Sequence, residues 1–323
     1  MIRLMYAGLL YDYGEPDKGY SYEHNNIEAG LQDCEDRKLI SLQRFHIDAF
    51  RKSTSREASY KWLENEIRNK SFDILFYVAF NESYDIPTEL LNLCRDFGIK
   101  TVQWDCDSSW RFQNWILPRK NLFDYFITTH SQAVPWYQAA GMKVIHSQWG
   151  GSPLYSEDFS VFKKHDISFV GQLHGVRGQI MRKLMDAGLN IKIWGNYWNN
   201  YTNWQGYLTD FGAMLKVFQE SKICLNLSNP WHVGTMSQIK GRHFEIPKAG
   251  GFQLSTPADN LENYFVPGKE IVLANDINEL VDRCKYYLDH EEERQSIAIA
   301  GWERTQKEHL WHHRFEKILK EIA

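Results

Sequence analysis

Apolar positions along the chain alternate between two periods. Ile2–Leu10, apolar but for Arg3, has the length of a buried strand. Lys38–Leu42, Asp73–Val78, Lys100–Trp104, Tyr125–Thr129 and Val144–His146 repeat that signal. The segments between them carry the helical period. Ser55–Arg68 places Tyr60, Leu63 and Ile67 on one face, Pro87–Phe97 is stopped by Gly98, and Ala133–Ala140 is closed by Gly141. Tyr22–Cys34 reads as a loop leading into a helix. Strands alternating with helices predict a parallel sheet covered on both faces.

Gly150-Gly151-Ser152-Pro153 and the polar stretch up to Lys164 read as a linker, after which the pattern restarts. Strands are expected at Asp166–Val170, Ile191–Trp194, Ile223–Leu227, Phe252–Ser255 and Glu270–Leu273. Helices are expected at Gly178–Ala187, Thr209–Ser221, Ile277–His290 and through the tail from Glu292, where Trp302, Leu310 and Phe315 face inward. The expected class is α/β, with two Rossmann-like domains in succession and a substrate cleft between them. The first domain covers residues 1–155 together with a terminal helix at about 303–323, and the second covers 156–302. No internal repeat or low-complexity segment interrupts this reading.

Length agrees, since 323 residues exceed one ordinary core and suit two of about 150. A hydrophobic fraction of 43% with 24% charged residues excludes a disordered or fibrous chain. No apolar run approaches the roughly 18 residues that cross a bilayer, and Met1–Leu10 lacks a small-residue cleavage site, so it reads as a strand rather than a signal segment. Five scattered cysteines without ligand spacing fit reduced thiols, hence a cytoplasmic location. A net charge of -4 argues against broad nucleic-acid binding. The 12 tryptophans supply faces that stack on sugar rings, or simply fill two cores.

Two stretches carry candidate chemistry. In the first, Gly241-Arg242-His243-Phe244-Glu245-Ile246-Pro247-Lys248-Ala249-Gly250-Gly251-Phe252 sets a helix start beside two glycines and a short strand. Bare backbone N–H groups there can meet an anion, with Lys240 and Arg242 adjacent. Glu245 can accept from a ribose diol; a tight turn with a solvated Glu is the competing reading. In the second, Phe169-Val170-Gly171-Gln172-Leu173-His174-Gly175-Val176-Arg177 runs from strand through a Gly-containing loop into a helix, bringing Arg177 to a phosphate-binding turn.

Together with Leu225-Asn226-Leu227-Ser228 and Ile297-Ala298…Gly301…His309, these stretches resemble the CgeB-type (spore maturation protein-like) glycosyltransferases, relatives of the retaining group 1 enzymes of GT-B fold. The likeness spans nearly all of residues 165–320. It is weaker in the first half, where Thr101-Val102-Gln103-Trp104-Asp105-Cys106-Asp107 and Phe123-Asp124-Tyr125 fall in the expected order. The resemblance implies two domains facing across a cleft, with the last helix crossing back to the N-terminal domain. It also implies a nucleotide-sugar donor in the C-terminal domain, with a UDP-sugar as first choice. Glu245 matches the second Glu of a Glu-x7-Glu motif that holds the donor ribose, while Ser237 stands where the first Glu belongs. Arg177 and Arg242 would neutralise the diphosphate, His232–Lys240 would lie over the donor sugar, and Trp194 to Trp198 would border the base. Gly171, Asn226, Lys240, Gly250, Gly251 and Phe252 complete the implied donor set.

Departure of a nucleoside diphosphate requires stabilisation of phosphate charge. Enzymes of this fold use Arg, Lys and helix N-termini for it, so neither a metal nor a further cofactor is expected. Arg242 is the candidate for that catalytic role. Asp105 and Asp107 mimic a metal-binding Asp-x-Asp, but after a parallel strand one of the pair faces the cleft, where it suits acceptor hydroxyls better. His24 follows the first strand in a loop, where it touches a sugar, acts as base, or is simply exposed. His309, His312 and His313 have zinc-compatible spacing on the terminal helix, or form a packing face. The expected activity is sugar transfer to a hydroxyl, metal-independent and retaining. Two alternatives remain open: a non-catalytic nucleotide-sugar or glycan binder, and a nucleotide-sugar epimerase. A glycan is the favoured acceptor over a modified DNA base.

Overall fold

A computed structural model describes the chain except residues 79, 229–236 and 323. It divides into two compact units, Met1–Gln148 with Trp311–Ala323, and Trp149–Leu310.

The first unit contains β1 (Ile2–Gly8), α1 (Ala29–Asp36), β2 (Ile40–His46), α2 (Ile47–Ser53), α3 (Arg56–Arg68), β3 (Ile74–Val78), α4 (Thr88–Asp96), β4 (Lys100–Asp105), α5 (Ser108–Arg111), β5 (Tyr125–Thr128), α6 (Val134–Ala139) and β6 (Val144–His146). The six strands are parallel in the order β2-β1-β3-β4-β5-β6. The second unit contains β7 (His165–Val170), α7 (Arg177–Asp186), β8 (Ile191–Trp194), α8 (Phe211–Gln219), β9 (Ser221–Asn226), α9 (Arg242–Lys248), β10 (Gln253–Ser255), β11 (Val272–Leu273), α10 (Ile277–Asp289) and α11 (Glu291–Glu308). Its five strands are also parallel, ordered β11-β10-β9-β7-β8. The helix α12 (Trp311–Ile322) belongs to the first unit. Two parallel-sheet, Rossmann-like domains are what the alternation of periods predicts.

Strands buried on both faces explain the apolar runs. All five residues of β3 are buried. Leu75 and Tyr77 pack on one side with Met5, Phe45, Leu63 and Phe126, while Phe76 on the other side stands 5.8 Å from Phe315 of α12. Helix starts follow local chemistry. The Ser55 hydroxyl accepts from the Ala58 N–H at 3.0 Å to open α3, and Asp276 accepts from Asn278 and Glu279 to open α10.

Three expectations shift. The second strand runs over Ile40–His46 rather than Lys38–Leu42, because Gln43, Arg44 and His46 interrupt its apolar pattern without ending its pairing with β1. The short helices α2 and α5 carried no periodic signal. The tail is two helices rather than one: α11 stops at Glu308, where the Gly151 N–H donates to the His309 carbonyl at 2.8 Å, and α12 begins at Trp311. His309 therefore lies in the second unit while His312 and His313 lie in the first, so the three do not share the helix face that zinc spacing assumed.

Candidate functional site

In an open α/β sheet, ligands bind outside the carboxyl ends of the strands where the strand order reverses. In the second unit the chain leaves β7 to build β8 on one side, then returns to place β9 on the other. The reversal therefore lies between the ends of β7 and β9, at Gly171 and Leu227.

The loop after β7 approaches its neighbours closely. Gly171 donates to the Trp194 carbonyl at 2.8 Å and accepts from Trp198 Nε1 at 2.7 Å. Gly175 takes a positive φ of 54°, and α7 begins two residues later. Arg177, its first residue, is buried. Its Nε and Nη2 donate to the Leu227 carbonyl, and Nη1 donates to that of Gln172. Burial, and secondarily the nearby Arg242, lower its pKa to about 9.

Lys240 and Arg242 approach the same point from the start of α9. His174 registers their presence: burial first, then the charges of Arg177, Lys240 and Arg242, push its pKa down to about 4. A neutral His174 beside three cations marks a region of concentrated positive potential. His243 is buried and neutral, held down to about 3 chiefly by burial. Its Nδ1 lies 2.9 Å from the Lys240 N–H and 3.0 Å from the Lys240 carbonyl, and its Nε2 lies 3.2 Å from the Ser255 hydroxyl. That hydroxyl shares its one proton between the carbonyls of Thr256, at 2.8 Å, and Asn226, at 3.1 Å. This relay fixes the entry to α9 against the ends of β9 and β10. Glu245, one turn into α9, is also buried.

Gly171, Arg177, Lys240 and Arg242 thus gather at the reversal point, with Glu245 on the adjoining helix. Other candidates lie elsewhere. Gly250 and Gly251 end α9 rather than begin it: Gly250, at φ 77°, donates to the Pro247 carbonyl and Gly251 donates to that of Ile246. Their N–H groups are committed to the helix C-terminus, so the expected anion loop is corrected to a helix stop. Phe252 follows them before β10, packing 4.7 Å from Tyr287. Gly250 and Phe252 line a hollow of about 90 Å³ with Lys163, Ser221 and Arg294 at the end of the sheet where β9 starts. Trp194 packs in a core with Val170, Phe218 and Ile246, its ring edge-on to His165, and Trp198 is fully buried. Within this stretch, Tyr197 is the aromatic that reaches solvent. Asn226 is buried, its Nδ2 donating to Gln253 Oε1 at 3.1 Å as a strand-to-strand tie. The Ser237 hydroxyl donates to the Pro257 carbonyl at 2.6 Å. The stretch expected over the donor sugar lies, for His232–Met236, outside the described residues.

In the first unit the reversal falls between β1 and β3. His24 stands on a π-helical turn, His24–Glu28, after β1. Its Nδ1 lies 2.8 Å from Glu28 Oε2, and His46 Nε2, at the end of β2, lies 2.8 Å from the same oxygen. Arg44 Nε donates to Glu28 Oε1 at 2.8 Å. Burial raises the Glu28 pKa, but the hydrogen bonds and charges of both imidazoles outweigh it and leave the group at about 2. Asp105 ends β4 fully buried, with Oδ1 accepting from the Asp107 N–H and Oδ2 3.9 Å from Arg111. Burial pushes its carboxyl up to about 6. Of this pair, one of which is expected to meet acceptor hydroxyls, Asp105 is thus the buried member. Asp107 is half-buried and lies close enough to Glu23 to help burial and Asp12 raise that carboxyl to about 7.

Sequence reasoning missed Glu28, His46, Arg44, His174 and His243. Glu28 carried a signal, four residues after His24. His46 carried none, because only strand pairing brings it there.

Residues 177–320 match the family model described as glycosyl transferase-like. No curated protein sequence matches the chain. Among solved structures, HepE of Anabaena in complex with UDP is similar with a TM-score of 0.64 at 9% identity over 99% of each chain. Sucrose-phosphate synthase of Thermosynechococcus elongatus gives 0.66 at 10% identity over 100% of this chain and 99% of that one. The lipopolysaccharide outer core galactosyltransferase WaaB gives 0.57 at 12% identity over 100% of both chains. Among the described residues no helix is long and apolar enough to cross a membrane. Residues 177–320 thus match a glycosyl transferase-like domain, and the chain as a whole has the two-sheet GT-B fold.

Proposed function

We propose that this protein transfers a sugar from a UDP-sugar to a hydroxyl acceptor, with the donor diphosphate held by the second unit and no metal bridging it. The observation that carries this reading is the cationic cluster of Arg177, Lys240 and Arg242 around His174 at the β7/β9 reversal. Negative charge develops on the diphosphate as the sugar leaves, and fixed cations preorganised near it lower that barrier. Lys240 and Arg242 supply direct charge, and the N-terminus of α7 adds backbone donors. Arg177, spent on two carbonyls, supplies field and rigidity. Glu245 is assigned to the ribose diol. HepE of Anabaena, similar in fold, is solved with UDP and with UDP-glucose, which favours uridine as the base. Retention of configuration follows from the resemblance to retaining enzymes. With Ser237 tied to Pro257, the donor-sugar contact of the first motif Glu passes to another group.

The test is a thermal-shift titration with UDP, GDP, dTDP, CMP and ADP, each with and without magnesium. A ligand at 100 times its Kd adds about 2.7 kcal/mol. Selective stabilisation by UDP that ignores magnesium is expected. Arg242→Ala should weaken UDP binding by about 10- to 100-fold, the worth of one charge-assisted contact. Full UDP affinity in both Arg242→Ala and Lys240→Ala would refute the site.

A further inference from the structure

The cluster of His24, Glu28 and His46 is not used by the donor chemistry above. We propose that these three residues form a binding site for one divalent transition-metal ion of the zinc class.

The argument starts from convergence. Two imidazole nitrogens from different elements meet one carboxylate oxygen, each at 2.8 Å, and the three donor atoms all lie within 4.8 Å of one another. Ligands about 2.0–2.2 Å from a tetrahedral zinc stand roughly 3–3.5 Å apart, so the spacing suits a shared ion. Among the described residues this is the grouping of three or more His, Cys, Asp or Glu with such spacing. Two imidazoles and one carboxylate are a borderline-soft donor set, suited to zinc and poorly suited to magnesium or calcium.

The surroundings have the form of an ion site. Glu28 is buried, its other oxygen held by Arg44, and Arg44 is anchored in turn on Gln32. That arrangement orients a monodentate carboxylate, as outer partners of metal ligands do. The His24 and His46 side chains keep 28% and 21% of their exposure, which leaves solvent access to the remaining coordination positions. His24 is positioned by a π-helical turn whose N–H is fixed by Ser21 Oγ at 3.0 Å, a distortion that recurs at functional sites. His46 closes β2 at the carboxyl edge of the sheet, paired in register with Gly8 of β1.

The test uses the full chain stripped with EDTA, titrated calorimetrically with Zn(II) and spectroscopically with Co(II). One equivalent is expected, with Co(II) giving the intense visible bands of a four- or five-coordinate ion. His24→Gln and His46→Gln should each weaken binding by at least about 100-fold, more than the loss of an outer-sphere partner. His313→Gln, at the other histidine pair of this unit, should leave binding unchanged. Near-UV circular dichroism checks that each variant is folded. Absence of stoichiometric binding, or unchanged affinity in both His24→Gln and His46→Gln, would overturn the proposal. UDP binding measured on the same samples separates the two ideas, since a protein that loses the ion but keeps UDP leaves the donor site standing.

Discussion

The guanidinium of Arg177 grips the carbonyl of Leu227 twice, through Nε at 3.2 Å and Nη2 at 2.8 Å, and reaches the Gln172 carbonyl through Nη1 at 2.9 Å. One side chain thereby clamps the loop after β7 to the end of β9, across the point where the sheet reverses. A lysine cannot reproduce that planar fork. Arg177→Lys should cost about 2 kcal/mol in urea denaturation, the worth of one to two charge-assisted bonds. A variant as stable as wild type would show that the clamp does not hold the loop.

Asp105 gives a pH prediction. Its carboxyl is raised from 3.8 to about 6, by burial first, against the opposing pull of Arg111 and of the hydrogen bond from the Asp107 N–H. A raised acid binds its proton in the folded state where the unfolded chain has already lost it. Its contribution to stability therefore falls as pH rises from about 4 to about 6, and stays low above that. Asp105→Asn removes the titration. The stability difference between Asp105→Asn and wild type should thus grow in favour of the variant across this window, by on the order of 2 kcal/mol. Parallel denaturation curves at pH 4 and pH 7.5 check it, and a difference independent of pH would refute it.

Two glycines separate packing from backbone freedom. A Cβ on Gly30 of α1 would fall onto Trp311 of α12, with Phe315 close behind, while one on Gly98 meets open space at a φ of 70°. Gly30→Ala should destabilise by about 3 kcal/mol through overpacking, and Gly98→Ala by about 1 kcal/mol through the left-handed conformation alone. Chemical denaturation of the two variants, side by side, measures the ranking. Equal losses would mean that α1 and α12 can separate without penalty.

The fold was legible because doubly buried strands announce themselves. Asp73–Val78 could hardly be anything but a central strand, and β3 is one. Local punctuation was legible too, in Ser55 opening α3 and Gly141 following α6. The site was legible only in part. Arg177 and Arg242 stand next to turns whose outline the sequence carries. Gly250-Gly251 misled, because a glycine pair beside a helix looks alike at either end, and only hydrogen bonds to Pro247 and Ile246 show that the helix has just finished. Asn226 and Trp194 misled for another reason: the end of a strand can aim a side chain outward or back into the sheet, and burial chose the latter. His46 was invisible because its partners are 18 and 22 residues away, joined by strand pairing rather than by any local pattern.

The placement of α12 has a consequence for how the chain is made. Trp311 lies 5.6 Å from Trp104, its Nε1 donates to Asn26 at 3.2 Å, and Lys100 bonds the Ile322 carbonyl. The face of the first sheet that holds Phe76 and Trp104 is thus closed by a segment made only after the whole second unit. During synthesis the first 148 residues must wait, with that aromatic surface uncovered, until the intervening 162 have been made. The second unit, continuous in sequence, can finish folding first. A nascent chain of this design is therefore most open to aggregation while its second unit is being made.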